Sequence, residues 1–261
     1  MGAFLSVLYA LACYALFLGT NLYAIGFIGD LIVPKALDTG PPGPLTDALV
    51  VNTLLLGAFA VQHSVMARRG FKRWWTRIVP PAVERSTYVL ATILVLALLF
   101  WQWRPMTDVV WKVSAAPNVF LIHMVFWLGW GIALVSTFLI NHFELFGLSQ
   151  VFARARTPDL LASQFKTPLF YRHVRHPLYV GFLLAFWAAP MMTAGHLMFA
   201  VATTGYILIG IFFEERDLVR QFGDRYRTYR AQVGMLIPRL NASRRTTTET
   251  IKEQRSKPSP T

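Results

Sequence analysis

A chain of 261 residues that is 55% hydrophobic and only 15% charged is too apolar for a soluble domain, in which about a quarter of residues carry charge. Its formal net charge of +12 comes with no nucleic-acid recognition motif, so nucleic acid is not an expected partner; the basic residues read as orientation signals and contacts to lipid headgroups. The single cysteine, Cys13, excludes an intrachain disulfide framework or a thiolate metal cluster.

Five apolar regions follow in chain order. The first runs from about Ala3 to Ile28. Ala10-Leu-Ala-Cys13 within it faintly resembles a lipidation box, but there is no basic stretch before it and the run is too long for a signal-peptide core, so a retained helix is expected. The next three span about Leu45–Met66, Ala82–Trp103 and Asn118–Phe146. The fifth, Pro177–Phe213, is nearly twice the length needed to cross roughly 30 Å of hydrocarbon. Pro190-Met-Met-Thr-Ala-Gly195 interrupts it, which predicts two helices joined by a turn.

Loop charge gives the orientation. Arg68, Arg69, Lys72, Arg73 and Arg77 follow the second region; Arg154, Arg156, Lys166, Arg172 and Arg175 follow the fourth; the tail from Arg216 is rich in arginine. The alternate loops hold only Lys35, Arg104 and Lys112. The positive-inside rule then predicts an all-α, polytopic membrane bundle: five spanning regions, the last a helical hairpin, six crossings and both termini cytoplasmic. Residues 1–146 form the N-terminal membrane helices, 147–240 a loop, the hairpin and a cytoplasmic segment, and 241–261 a polar tail expected to be disordered. Trp74, Trp75, Trp101, Trp103 and Trp111 sit at segment ends as an aromatic belt.

This topology gathers polar residues at one leaflet. His63 ends the second region, His142 and Glu144 end the fourth, His176 and Tyr179 open the hairpin, and Glu214 and Glu215 close it. Ionisable groups at membrane depth are costly and usually face a bundle interior or a wet cavity, although each alone is also explained by a helix end reaching for water. No metal is expected. The six histidines form no His-Glu-x-x-His, and Pro177 turns His176 out of a helical pairing with His173. Gly-x-Ser-x-Gly, Gly-x-Gly-x-x-Gly and Walker sequences are also absent.

The run Arg175-His-Pro-Leu-Tyr-Val-Gly181, then Glu214-Glu215-Arg-Asp-Leu218, Phe222-Gly-Asp-Arg-Tyr226, Tyr229 and Ile237-Pro238 resembles the isoprenylcysteine carboxyl methyltransferase superfamily. Gln62-His-Ser-Val-Met-Ala-Arg68, Trp74-Trp75, Glu84-Arg-Ser-Thr-Tyr88, Trp101-Gln-Trp-Arg-Pro105 and Asn141-His-Phe-Glu-Leu-Phe-Gly-Leu148 extend the likeness over most of the chain. They look like methanethiol S-methyltransferases, which use S-adenosylmethionine (SAM) to turn methanethiol into dimethyl sulfide. NnrU-like membrane proteins are similar in part. Sterol reductases share the C-terminal pattern but use NADPH, whose 2′-phosphate would call on Arg225 or Arg227.

The resemblance implies an integral enzyme of the bacterial inner membrane, with its site facing the cytoplasm and a small volatile thiol and lipid as its partners. SAM is expected to meet Gln150, the loop at Phe165 and Lys166, Tyr171, His176, Pro177, Leu178, Tyr179 and Glu214. Arg175 either reaches the SAM carboxylate or anchors the hairpin. Carboxyl methyltransferases carry an arginine four residues before the glutamate of Glu214. Gly210 stands there instead, so a carboxylate substrate would lack its charge-assisted partner and a neutral thiol would not need one. A thiol is mostly protonated at neutral pH, and His63, His142 and Glu144 are the expected bases.

Overall fold

The structure, a computed structural model, describes residues 2–41, 43–152 and 167–239. Phe165, Lys166 and the tail expected to be disordered lie outside these residues. Helix α1 (Ala3–Gly29) is followed by α2 (Leu45–Ala67), α3 (Arg69–Trp75) and α4 (Glu84–Gln102). Strand β1 (Val109–Lys112) leads to α5 (Ala116–Ile140) and the short helices α6 (His142–Leu145) and α7 (Leu148–Phe152). The chain closes with α8 (Pro177–Trp187), β2 (Met191–Thr193), α9 (Ala194–Phe222) and α10 (Asp224–Gln232). Five helices among the described residues are long and apolar enough to cross a membrane: α1, α2, α4 with the turn before it, α5 and α9. The protein is an integral membrane helical bundle.

The predicted segments match these helices, with three differences: α9 runs to Phe222, nine residues beyond the predicted end at Phe213, and two segments are interrupted. The fourth region breaks at Asn141, whose extended backbone ends α5 and starts α6. The interruption in the fifth region is more than a turn. Helix α8 has 11 residues, about 16 Å of helix, and is too short to span alone. Extended residues continue from it, and β2 pairs antiparallel with β1, joining Lys112 to Met191 and Val109 to Thr193. Backbone groups freed by the end of α8 thereby find partners, as they must away from water.

Two features set the position of the hairpin. The first is the contact between α5 and α8, at facing glycines. A Cβ on Gly129 would lie 2.6 Å from the Gly181 oxygen, and one on Gly181 would lie 2.6 Å from the Gly129 oxygen. The backbones therefore touch, and this holds the first turn of α8 beside the end of α5. The second is the length of α9. Its 29 residues make about 44 Å of helix, so its last turns extend past the apolar layer and carry Glu214 and Glu215 out of it. The main core packs Phe27, Phe100, Trp103, Phe126, Trp130 and Phe199 between α1, α4, α5, α8 and α9.

Candidate functional site

Residues before α8 are tied down from behind. Tyr229 Oη donates to the Tyr171 carbonyl at 2.6 Å. The Arg175 amide donates to Gly234 O at 2.8 Å and the His176 amide to Met235 O at 3.2 Å. The chain leaving α10 thus runs alongside the Arg-His-Pro segment. Pro177 then occupies the first position of α8, where its missing N–H costs nothing.

The side chains of this segment meet the end of α9. Arg175 Nε donates to Glu215 Oε1 at 2.7 Å, and its Nη1 donates to the carbonyls of Arg230 and Val233 at 3.1 and 2.5 Å. His176 Nε2 lies 3.1 Å from the same Glu215 oxygen. Tyr179 Oη donates to Glu214 Oε2 at 3.0 Å, and His176 Nδ1 is 3.8 Å from that Glu214 oxygen. The two carboxylates differ in setting: the Glu215 side chain is 12% exposed and the Glu214 side chain 46%.

In front of them lies a cavity of about 230 Å³. Six of the residues expected from sequence line it: Tyr171, Arg175, His176, Leu178, Tyr179 and Glu214. Leu218, Phe222, Tyr226 and Tyr229, which the sequence offered as parts of the motif and not as site residues, also line it. A periodic signal was there: Glu214, Leu218 and Phe222 recur every four residues and so share one face of α9. Burial raises the phenols of Tyr171, Tyr226 and Tyr229, the last to about 12. These hydroxyls remain protonated and cannot serve as bases at neutral pH.

The other expected residues lie apart from this lining. His63, on α2, has its ring nitrogens 2.9 Å from Tyr88 Oη and is stacked on Phe59. Beside it Ser64 Oγ bonds Tyr206 Oη at 3.2 Å. His142 turns away into α1. Thr137 Oγ1 donates to the Leu134 carbonyl, so His142 Nδ1–H donates to Thr137 at 2.8 Å and Nε2 accepts from Tyr14 Oη at 2.8 Å. Burial lowers the pKa of this imidazole, in keeping with a neutral ring whose nitrogens are both used. Glu144 accepts from Asn141 Nδ2 at 2.7 Å, and the Asn141 side chain caps the Glu144 amide. Gln150 donates to the Glu144 carbonyl at 3.1 Å, and its Oε1 is buried with no partner among the described residues. Ile140 does line the cavity, so this corner is near the site although its polar atoms point elsewhere.

Aromatic rings, one half-exposed carboxylate and a buried carboxylate–imidazole pair suit a cationic organic group. No family model matches the chain, and no solved structure matches it. Curated relatives do. A methanethiol S-methyltransferase of Mycobacterium tuberculosis is 55% identical over 238 residues, 91% of this chain and 98% of its own length. Methanethiol S-methyltransferase 2 of Bradyrhizobium diazoefficiens is 55% identical over 240 residues, 92% of each chain. Nurim of Danio rerio is similar at a greater distance, 30% identical over 67% of this chain and 66% of its own length. With the higher identity sustained over most of its length, this chain belongs to the methanethiol S-methyltransferase family.

Proposed function

We propose that the protein transfers a methyl group from SAM to methanethiol and releases dimethyl sulfide at the cavity between α8, α9 and α10. One observation supports this site above others: Glu214, a half-exposed carboxylate bonded to Tyr179, opens among the rings of Tyr171, Phe222 and Tyr229. SAM supplies the methyl group on a cationic sulfonium, and a carboxylate framed by aromatic faces favours a cation.

Glu214 and Tyr171 are the proposed donor contacts, with His176, Pro177, Leu178 and Tyr179 shaping the pocket floor. Phe165, Lys166 and Gln150 remain proposed as parts of the same site. Arg175 uses Nε and Nη1 on Glu215 and two carbonyls, which supports anchoring over contact with the SAM carboxylate. Of the expected bases, His63 bonds the Tyr88 hydroxyl, and the polar atoms of His142 and Glu144 are engaged locally; all three remain proposed. Residues 147–240 would then form the SAM-binding part, behind helices of 1–146.

The cavity shares its end of the bundle with the basic α3 and α10, which supports a cytoplasmic site in a bacterial inner membrane. Gly210, one turn before Glu214, has open space at its Cβ position and offers no charge to a carboxylate substrate, which favours a small neutral thiol.

Cells expressing the protein and fed methanethiol should accumulate dimethyl sulfide above vector controls, measured by headspace gas chromatography. Folded protein that binds SAM and yields no dimethyl sulfide would refute the substrate.

A further inference from the structure

We infer that His176 takes the proton from the thiol, through Nδ1, and that Glu215 is the positioning residue that leaves that nitrogen available. The inference rests on the proposed methyl transfer and assigns the acid–base step within it. A carboxylate can only accept, so the 3.1 Å contact between His176 Nε2 and Glu215 Oε1 places the ring proton on Nε2. Nδ1 then carries the lone pair. Glu214 Oε2 lies 3.8 Å from it, too far for a hydrogen bond, and His176 lines the cavity. Ring orientation is doubly constrained: the His176 amide is bonded to Met235 O and the ring stacks on Tyr179.

The other groups around the cavity are less suited. Tyr171, Tyr226 and Tyr229 hold their protons, and Tyr179 donates its own to Glu214. The Glu214 oxygen nearest the ring is already the acceptor of that bond. The charged groups facing the ring are Glu214 and Glu215 on α9, Arg175 beside it and Arg230 of α10, which lies 3.9 Å from Glu215. Two carboxylates therefore flank the ring where positive charge forms.

In the step, the S–H bond breaks and its proton passes to Nδ1. The sulfur electron pair forms the new S–CH₃ bond, and the bond from that methyl to its carrier breaks with its pair going to the carrier. The proton is then released from Nδ1 to water.

The test compares methanethiol with methaneselenol, a substrate of nearly the same size that is already ionised at neutral pH. His176→Asn should lose roughly 10²-fold or more in methanethiol turnover, the scale of general base catalysis. With methaneselenol the loss should shrink to under about tenfold, since no proton need be removed. SAM affinity, measured by calorimetry on purified protein, should change only a fewfold in that variant. Glu215→Gln, which keeps an acceptor and removes the charge, should show the same thiol-selective loss in weaker form. Equal losses with both substrates, or loss of SAM binding by His176→Asn, would overturn the assignment, as would unchanged methanethiol turnover. Turnover lost only in His63→Ala would transfer the role to the deeper histidine. Wild-type protein inactive on methanethiol would instead break the proposed reaction.

Discussion

Two carboxylate–histidine pairs sit at opposite ends of the hairpin and are finished differently. At the far end His196 Nδ1 meets Asp38 Oδ2 at 2.9 Å and Nε2 meets the Phe186 carbonyl at 2.9 Å. Thr193 Oγ1 donates to the other Asp38 oxygen at 2.5 Å and caps α9 by accepting from the His196 amide. Every polar atom is used, and the pair locks the segment after α1 to the start of α9. At the cavity end His176, which lines the cavity, has one nitrogen on Glu215 and the other 3.8 Å from Glu214, beyond hydrogen-bond reach. A carboxylate and an imidazole thus make a clasp in one place and an unfinished valence in the other. A buried pair with all partners satisfied belongs to the scaffold; one with a spare lone pair beside a cavity is a candidate for chemistry.

The largest effect should come from breaking the clasp. Asp38→Ala leaves a buried polar ring without its partner and should cost about 3–5 kcal/mol of stability. Thermal unfolding in detergent would read it, together with a fall in membrane-extracted yield. A variant as stable as the parent would remove the distinction between the two ends. At the cavity end, Glu214→Ala should leave the melting temperature nearly unchanged. It should weaken SAM binding roughly ten- to a hundredfold, as expected for a charge-assisted contact of about 1.5–3 kcal/mol. Calorimetry with normal affinity would place the donor elsewhere.

The smallest effect concerns His142. Burial depresses its folded pKa, so the unfolded chain binds the proton more readily. Stability from this group is therefore full above the ordinary imidazole value of about 6.5 and declines as pH falls below it towards the lower folded value. Melting curves from pH 7.5 down to pH 5.5 should show a drop that His142→Asn lacks in part. Identical pH dependence in both proteins would mean that the ring is not held neutral.

Apolar length and loop charge were enough to read the helices, because lipid leaves the backbone few choices. The start of α8 at Pro177 and the end of α9 near Gly223 also follow from local rules. The β1–β2 pairing was not legible, since two short strands far apart in sequence carry no periodic signal. Nor was the fate of His142. Its place at a helix end looked like a site, and only the packing of α1 shows Tyr14 and Thr137 occupying both nitrogens. Glu215 was visible as the neighbour of Glu214, yet its role depends on which way each points. On α9 successive side chains diverge by about 100°, so one carboxylate faces the cavity and the other meets Arg175.

The bonds from Arg175 and His176 to Gly234 and Met235 also bear on when the site comes into being. Synthesis runs from the N-terminus, and each helix can enter the membrane before the residues after α10 exist. The wall behind His176 is completed by residues made only after α10. A nascent chain therefore holds an unassembled pocket until its spans are in place, and truncation just before Val233 should leave an inserted bundle without a working cavity.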